Sequence, residues 1–127
     1  MTNAAKRNAT CTLQLSRKKQ PTEDKFHVAI IEAVEESLSI FNNLDKEAVY
    51  LHLENAFKIK KQEIPDKIAG FSDAIKQMFG VGAKLIEIRI IKALHNRIRE
   101  FVFIPKKGDV DFKEYVASLR AFPLHAL

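Results

Sequence analysis

The sequence predicts an all-α protein: a single compact domain of about five helices over residues 21–127, preceded by a flexible basic N-terminal arm over residues 1–20. Three observations predict it. Apolar residues recur at three- and four-residue spacing in five successive stretches. Asn, Pro or Gly stands at most of the junctions between those stretches. The charge is divided unevenly. The 127 residues hold 21 Lys and Arg against 16 Asp and Glu, a net +5. Lys6, Arg7, Arg17, Lys18 and Lys19 lie in the first twenty residues with no acid among them, so residues 21–127 balance at zero.

The arm is expected to be disordered or loosely docked. Its apolar runs are too short for a secretory signal, and it lacks the amphipathic pattern of a mitochondrial leader. Cys11, Leu13 and Leu15 alternate with polar residues, leaving room for a short strand paired with the apolar run at Phe101. Read for chemistry, the five cations are candidate phosphate contacts or a match for a partner's acidic surface.

Each helix follows from its own period. Pro21 closes the arm, and Thr22, Glu23 and Asp24 supply a cap and two acids. Phe26, Ile30, Ala33, Val34, Leu38 and Phe41 then predict a first helix over about 24–42. Asn42 and Asn43 break it, and Asn43 or Asp45 is expected to cap a second helix over 45–57, with Val49, Leu53 and Phe57 inward. The basic turn Lys58-Ile59-Lys60-Lys61 suits a helix C-terminus. Pro65 and Asp66 are first-turn residues for a third helix carrying Ile68, Phe71, Ile75, Met78 and Phe79. It is expected to end at Gly80 in a left-handed cap. The fourth helix, about 83–100, gathers Ile86, Ile90, Ala93, Leu94, Ile98 and Phe101 on one face. Phe101 to Pro105 reads as extended, and Lys106 to Asp109 as a turn. Asp111 and Glu114 then form an acidic capping box for a fifth helix over 111–121.

The composition excludes several functions. One Cys allows neither a disulfide framework nor a thiolate zinc site, and no apolar run approaches the ~18 residues of a membrane span. The four His residues show no metal-binding spacing, and Cys11 in an arm has no pocket or base to activate it. No cofactor is expected. Phe79-Gly80-Val81-Gly82-Ala83-Lys84 resembles a phosphate-cradling turn, with Lys84 as the cation, but P-loop spacing is missing. The plainer reading is a tight corner between two helices.

Glu87 is the anomaly, a carboxylate on an apolar stripe. Either it is hydrogen-bonded to a helix N-terminus, Tyr50, Tyr115 or Arg97, or it is a ligand contact or an acid with a raised pKa. His52, among Tyr50, Leu51 and Leu53, is expected to be partly buried.

Three stretches carry a family resemblance. They are Phe26 to Leu38; Tyr50-Leu-His-Leu-Glu54 with Phe57 to Lys67 and Phe71 to Ala74; and Phe79-Gly-Val-Gly-Ala-Lys-Leu-Ile-Glu87 running on to Leu94. Phe112-Lys-Glu-Tyr-Val116 and Arg120 add a final helix. In order and spacing, residues 26–120 resemble the Nitrosopumilus output domain family of the fifth type, a small helical domain of archaeal signalling proteins. The resemblance implies a non-enzymatic module for signal output or regulation through protein contacts. Tyr50, His52, Phe79, Gly80, Gly82 and Glu87 match its pattern, and no catalytic or metal residue is implied. The chain departs from the family by its basic arm and by carrying no sensor, so it is expected to need a partner, a ligand or an oligomer.

The sequence therefore points to a cytoplasmic, non-membrane interaction module. A homodimer is expected, with Glu87 and the Gly80–Gly82 corner shaping it, and with exposed apolar residues near Phe101 and Phe103 making contact. The alternative is a nucleic-acid-binding regulator that uses the arm for weak phosphate contacts and the helical body for dimerisation. An enzyme with a helical pocket at Glu87 is the third reading.

Overall fold

The computed structural model describes residues 21–105 and 110–122. The arm, its candidate contacts Lys6, Arg7, Arg17, Lys18 and Lys19, the expected strand at Cys11 and the turn at 106–109 lie outside the described residues. Those described form five α-helices: α1 (Pro21–Ser37), α2 (Asn43–Phe57), α3 (Ile68–Phe79), α4 (Ala83–Arg97) and α5 (Phe112–Ala121). Three 3-10 turns join them, Leu38–Ile40, Lys61–Asp66 and Gly80–Gly82. No strand occurs among the described residues, and Phe101 to Pro105 has no regular secondary structure.

α1 and α4 form the spine, packed along more of their length than any other pair. Phe26, Ile30, Ala33 and Val34 from α1 and Ile86, Ile90, Ala93 and Leu94 from α4 are all buried. α3 and α5 close the core with Phe71, Ala74, Ile75, Phe112, Val116 and Leu119. This is one all-α domain around one core. α2 is attached more lightly: only Leu53 of this helix is fully buried, with Val49 and Phe57 partly so.

The element boundaries shift from the expected ones for local reasons. α1 starts at Pro21, whose fixed φ suits a first turn. It ends at Ser37 rather than 42. The Ser37 hydroxyl donates to the Ala33 carbonyl at 2.7 Å, and the chain tightens into a 3-10 turn before Phe41 goes extended. Asn42, not Asn43 or Asp45, caps α2 by accepting from the Asp45 N–H at 2.8 Å. α2 ends at Phe57, and Lys58 after it sits in the left-handed region and closes the helix onto the Glu54 and Leu53 carbonyls. Lys58 Nζ also donates to the Asn55 carbonyl, so a cation does stand at this negative helix end.

Pro65 and Asp66 do not open α3. They belong to the preceding 3-10 turn, where Ile64 and Pro65 are buried, and Lys67 breaks the helical path before Ile68. α4 stops at Arg97, three residues early. Ile98 leaves helical geometry, and Phe101 turns back to donate its N–H to the Ile98 carbonyl at 3.3 Å. That reversal puts the Phe101 ring edge-on against Tyr115 and Phe122. Asp111 caps α5 as expected, accepting from the Glu114 N–H at 3.0 Å.

Gly80 turns the chain between α3 and α4 at φ 56° and ψ −125°. The φ is positive, but this is not the left-handed helical cap that was expected. It is a region that glycine alone enters readily. A Cβ at Gly80 would meet nothing within 4 Å, so the constraint is backbone strain rather than space. Gly82 sits in ordinary right-handed geometry, and a Cβ there would lie 3.9 Å from the Phe79 side chain. Gly80→Ala should therefore cost about 1–2 kcal/mol in chemical denaturation. Gly82→Ala should leave the midpoint nearly unchanged. Equal effects at both positions would show that the corner has no special backbone requirement.

Candidate functional site

Glu87 lies one and a half turns into α4 and is only 6% exposed. Its partner is the hydroxyl of Ser72 on α3, which is fully buried and donates to Oε2 at 2.7 Å. None of the expected partners reaches it. Tyr50 and Arg97 bond elsewhere, and the Tyr115 hydroxyl is buried without a hydrogen-bond partner among the described residues. The sequence shows the anomaly at Glu87 but not Ser72, because a serine in an apolar helix gives no sign of what it faces.

Tyr50, Glu35, Lys46 and Lys61 make a second polar cluster. The Tyr50 hydroxyl donates to Glu35 Oε1 at 2.8 Å, and Lys61 Nζ donates to the same oxygen at 2.9 Å. Lys46 donates to Oε2, and Lys61 also sits 4.8 Å from the Tyr50 ring centroid. One carboxylate thus ties α1 to α2 and to the 3-10 turn that follows it. The Lys46 and Lys61 hydrogen bonds hold the Glu35 carboxyl at a pKa of about 2. Burial, then the adjacent Glu35, pushes the Tyr50 phenol above its ordinary range, so it stays a neutral donor. Sequence reasoning missed Glu35. It reads as one of three solvated acids on α1, and its cations come from later elements.

A third cluster clips α1 and α5 to the turn at Pro65. Asp66 Oδ1 accepts from Arg120 at 2.9 Å and lies 3.0 Å from His27 Nε2. These partners, His27 foremost, hold the Asp66 carboxyl below its ordinary value. Arg120 stacks over the Phe26 ring at 4.9 Å and donates to the Pro65 carbonyl.

The candidate residues occupy separate surroundings. Glu87 faces the α3–α4 interior, while Gly80 is exposed at the corner. Lys84 is exposed and reaches the Val110 carbonyl at 3.4 Å. His52 is exposed, contrary to expectation, with its ring edge toward Phe57. It lies off the α2 face that packs through Leu53. No group of three or more His, Cys, Asp or Glu side chains suited to a metal occurs among the described residues. No described helix is long and apolar enough to cross a membrane.

Exposed apolar residues do stand near Phe101 and Phe103, namely Val102 and Ile104, though not those two rings themselves. Phe101 belongs to the core and Phe103 is half-buried against Tyr115, so neither offers a free contact. Val102 and Ile104, between and beyond these rings, take the outward positions. The more continuous row is on the corner and α4. Val81 is completely exposed between its two glycines, and Leu85 and Ile88 follow it at helical spacing. Leu85 and Ile88 share a crevice of about 270 Å³ with Glu36, Arg89 and Lys92. A larger cavity of about 590 Å³ opens at the far end of the α1–α4 pair, walled by Val28, Ala29 and Ile98 and rimmed by charge.

No protein-family model matches this chain, and no curated protein or solved structure matches it either.

The Ser72–Glu87 pair makes a sharp mutational contrast. Glu87→Ala leaves the buried Ser72 hydroxyl unpaired and should cost about 1–3 kcal/mol. Glu87→Gln keeps an acceptor for Ser72 and should cost less. A neutral Glu87→Ala in denaturant melts would show that the bond contributes nothing.

Glu35 generates a pH dependence. Its folded pKa of about 2 lies below its ordinary 4.5, so its stabilisation is fully present above about 4.5. That stabilisation is lost as pH falls toward 2. Glu35→Gln should lower stability at pH 7 by about 1 kcal/mol. It should also remove part of the acid slope between those two values, measured as urea midpoints against pH. An unchanged slope would mean that the cluster is not formed in solution.

Proposed function

We propose that the helical domain is a non-enzymatic signal-output or regulatory module that acts through protein contacts, in a cytoplasmic setting. Membership of the archaeal output family belongs to this proposal and rests on the stretches at residues 26–38, 50–74 and 79–94. The observation that carries the contact reading is the row Val81, Leu85 and Ile88. It places three apolar side chains in solvent on a rigid helix and its corner. Isolated exposed apolar residues are ordinary, but a helical row of them beside a charged crevice is a recognition feature. Glu87 supports the row indirectly, since its bond to Ser72 fixes how α4 lies against α3.

Affinity capture with the full chain from extract of its native cells, run with and without nuclease treatment, tests the reading. A protein partner should be retained by the wild type and lost with Leu85→Asp. Retention that vanishes on nuclease treatment would replace the contact reading with a nucleic-acid one.

That second reading rests on the uneven charge. Residues 21–127 balance to zero, and the whole +5 belongs to residues 1–20. Any affinity for nucleic acid should therefore come from Lys6, Arg7, Arg17, Lys18 and Lys19. Five phosphate contacts limit the slope of log K against log salt to about −4.5 on duplex DNA. The binding should be blind to sequence. Titration of the full chain and of a chain starting at Pro21 on one duplex checks this. Full affinity in the shorter chain would move the surface to the helical body.

A further inference from the structure

We infer that the outer face of the α1–α4 pair is a self-docking surface, and that its occupant is a second copy of this chain. The inference rests on the protein-contact reading above and names the partner. It comes from how charge and apolar surface are divided between the two helices.

α1 and α4 run antiparallel, with Glu36 and Ser37 of α1 level with Leu85 to Lys92 of α4. Arg97, near the other end of α4, is level with Ala29 and Glu32. Along this face α1 presents three acids, Asp24, Glu32 and Glu36, and one base, Lys25. α4 presents bases, Arg89 and Lys92, both exposed and neither ion-paired among the described residues. Arg97 bridges the seam, with its guanidinium 2.7 Å from Glu36 and 3.4 Å from Glu32. One end of the face carries Leu85 and Ile88, with Val81 projecting beyond them. Ile40 belongs to the same end, because Phe41 beside it stacks on Phe79 of the corner at 5.6 Å. The other end carries Val28 over its apolar cavity.

A surface that is acidic on one helix and basic on its neighbour complements itself under one symmetry operation. A two-fold axis parallel to the helices lays α1 of each copy on α4 of the other, and the neighbours run antiparallel. The arrangement is that of an antiparallel four-helix bundle. Glu36 of each copy then stands level with the partner's Arg89 and Lys92. The apolar ends fall on each other, so Leu85, Ile88 and Ile40 of both copies form one cluster. The Val28 cavities also face one another. The contact is isologous and closes at two copies. A two-fold perpendicular to the helices would set acid on acid and base on base, and is disfavoured. From Val28 to Ile40 the face is about 18 Å long at 1.5 Å per residue.

Sedimentation equilibrium on the full chain tests this directly. A dimer is expected at about 0.1 mM. Added salt should weaken it, because exposed cross-pairs are screened. Leu85→Asp and Lys92→Glu change exposed residues, so both should fold, as circular dichroism melts would verify. Each should weaken the dimer by about tenfold or more. Arg89→Glu, at a second exposed base without an ion pair among the described residues, should weaken the dimer as Lys92→Glu does. A dimer indifferent to these single changes overturns the assignment of this face. A chain that stays monomeric but retains a different protein in the capture experiment overturns self-docking and leaves the contact reading standing. A monomer that captures nothing overturns both.

Discussion

The packing of α1 against α4 is the constraint on which the other elements depend. Both helices present alanines to the core, Ala29 and Ala33 on α1 and Ala83 and Ala93 on α4. Small residues let two helix backbones approach closely, and larger neighbours such as Phe26, Ile30, Ile90 and Leu94 fill the sides. α3 and α5 then complete the core around that spine. α2 does not share in it to the same degree. It is held by Leu53 and by the Glu35 cluster, which joins it to α1 through Tyr50 and Lys46. The helix least supported by apolar burial is thus the one most dependent on polar bonds.

The polar interactions fall into two energetic classes. Ser72 and Glu87 are both buried, so each needs the other: losing one leaves a desolvated group behind. The Glu35, Asp66 and Arg97 clusters are part-exposed, and each isolated pair there contributes little. Their value is positional, since each ties residues from distant parts of the chain. Asp66 joins α1, the Pro65 turn and α5, and Arg97 joins α4 to α1. Among the described residues, the buried His27 Nδ1 and Tyr115 hydroxyl have no such partner.

Function, on this reading, belongs to the outside of the spine. The inward faces of α1 and α4 are consumed by the core, and the outward faces carry opposite charges with apolar residues at the ends. The Gly80 corner sets Val81 at the end of that face and starts α4 in the right direction. A local backbone requirement at one glycine therefore bears on the shape of the contact surface as well as on the fold.

Much of this was legible in the sequence, because helical periodicity depends only on residues three and four apart. The five helices, the inward residues of α1 and α4, the stop at Gly80 and the cap at Asp111 all follow from such spacing. So does the misfit at Glu87. What tertiary structure alone decided is which side chains meet across the chain. Ser72 faces Glu87, Lys46 and Lys61 converge on Glu35, and Phe101 folds inward to Tyr115 instead of facing solvent. The early end of α4 has the same origin, since the chain leaves the helix there as Phe101 turns back into the core. Local pattern reports a residue's environment only in so far as its own helix sets it. Partners on different elements, eleven or more residues apart in these cases, are chosen by how the helices pack.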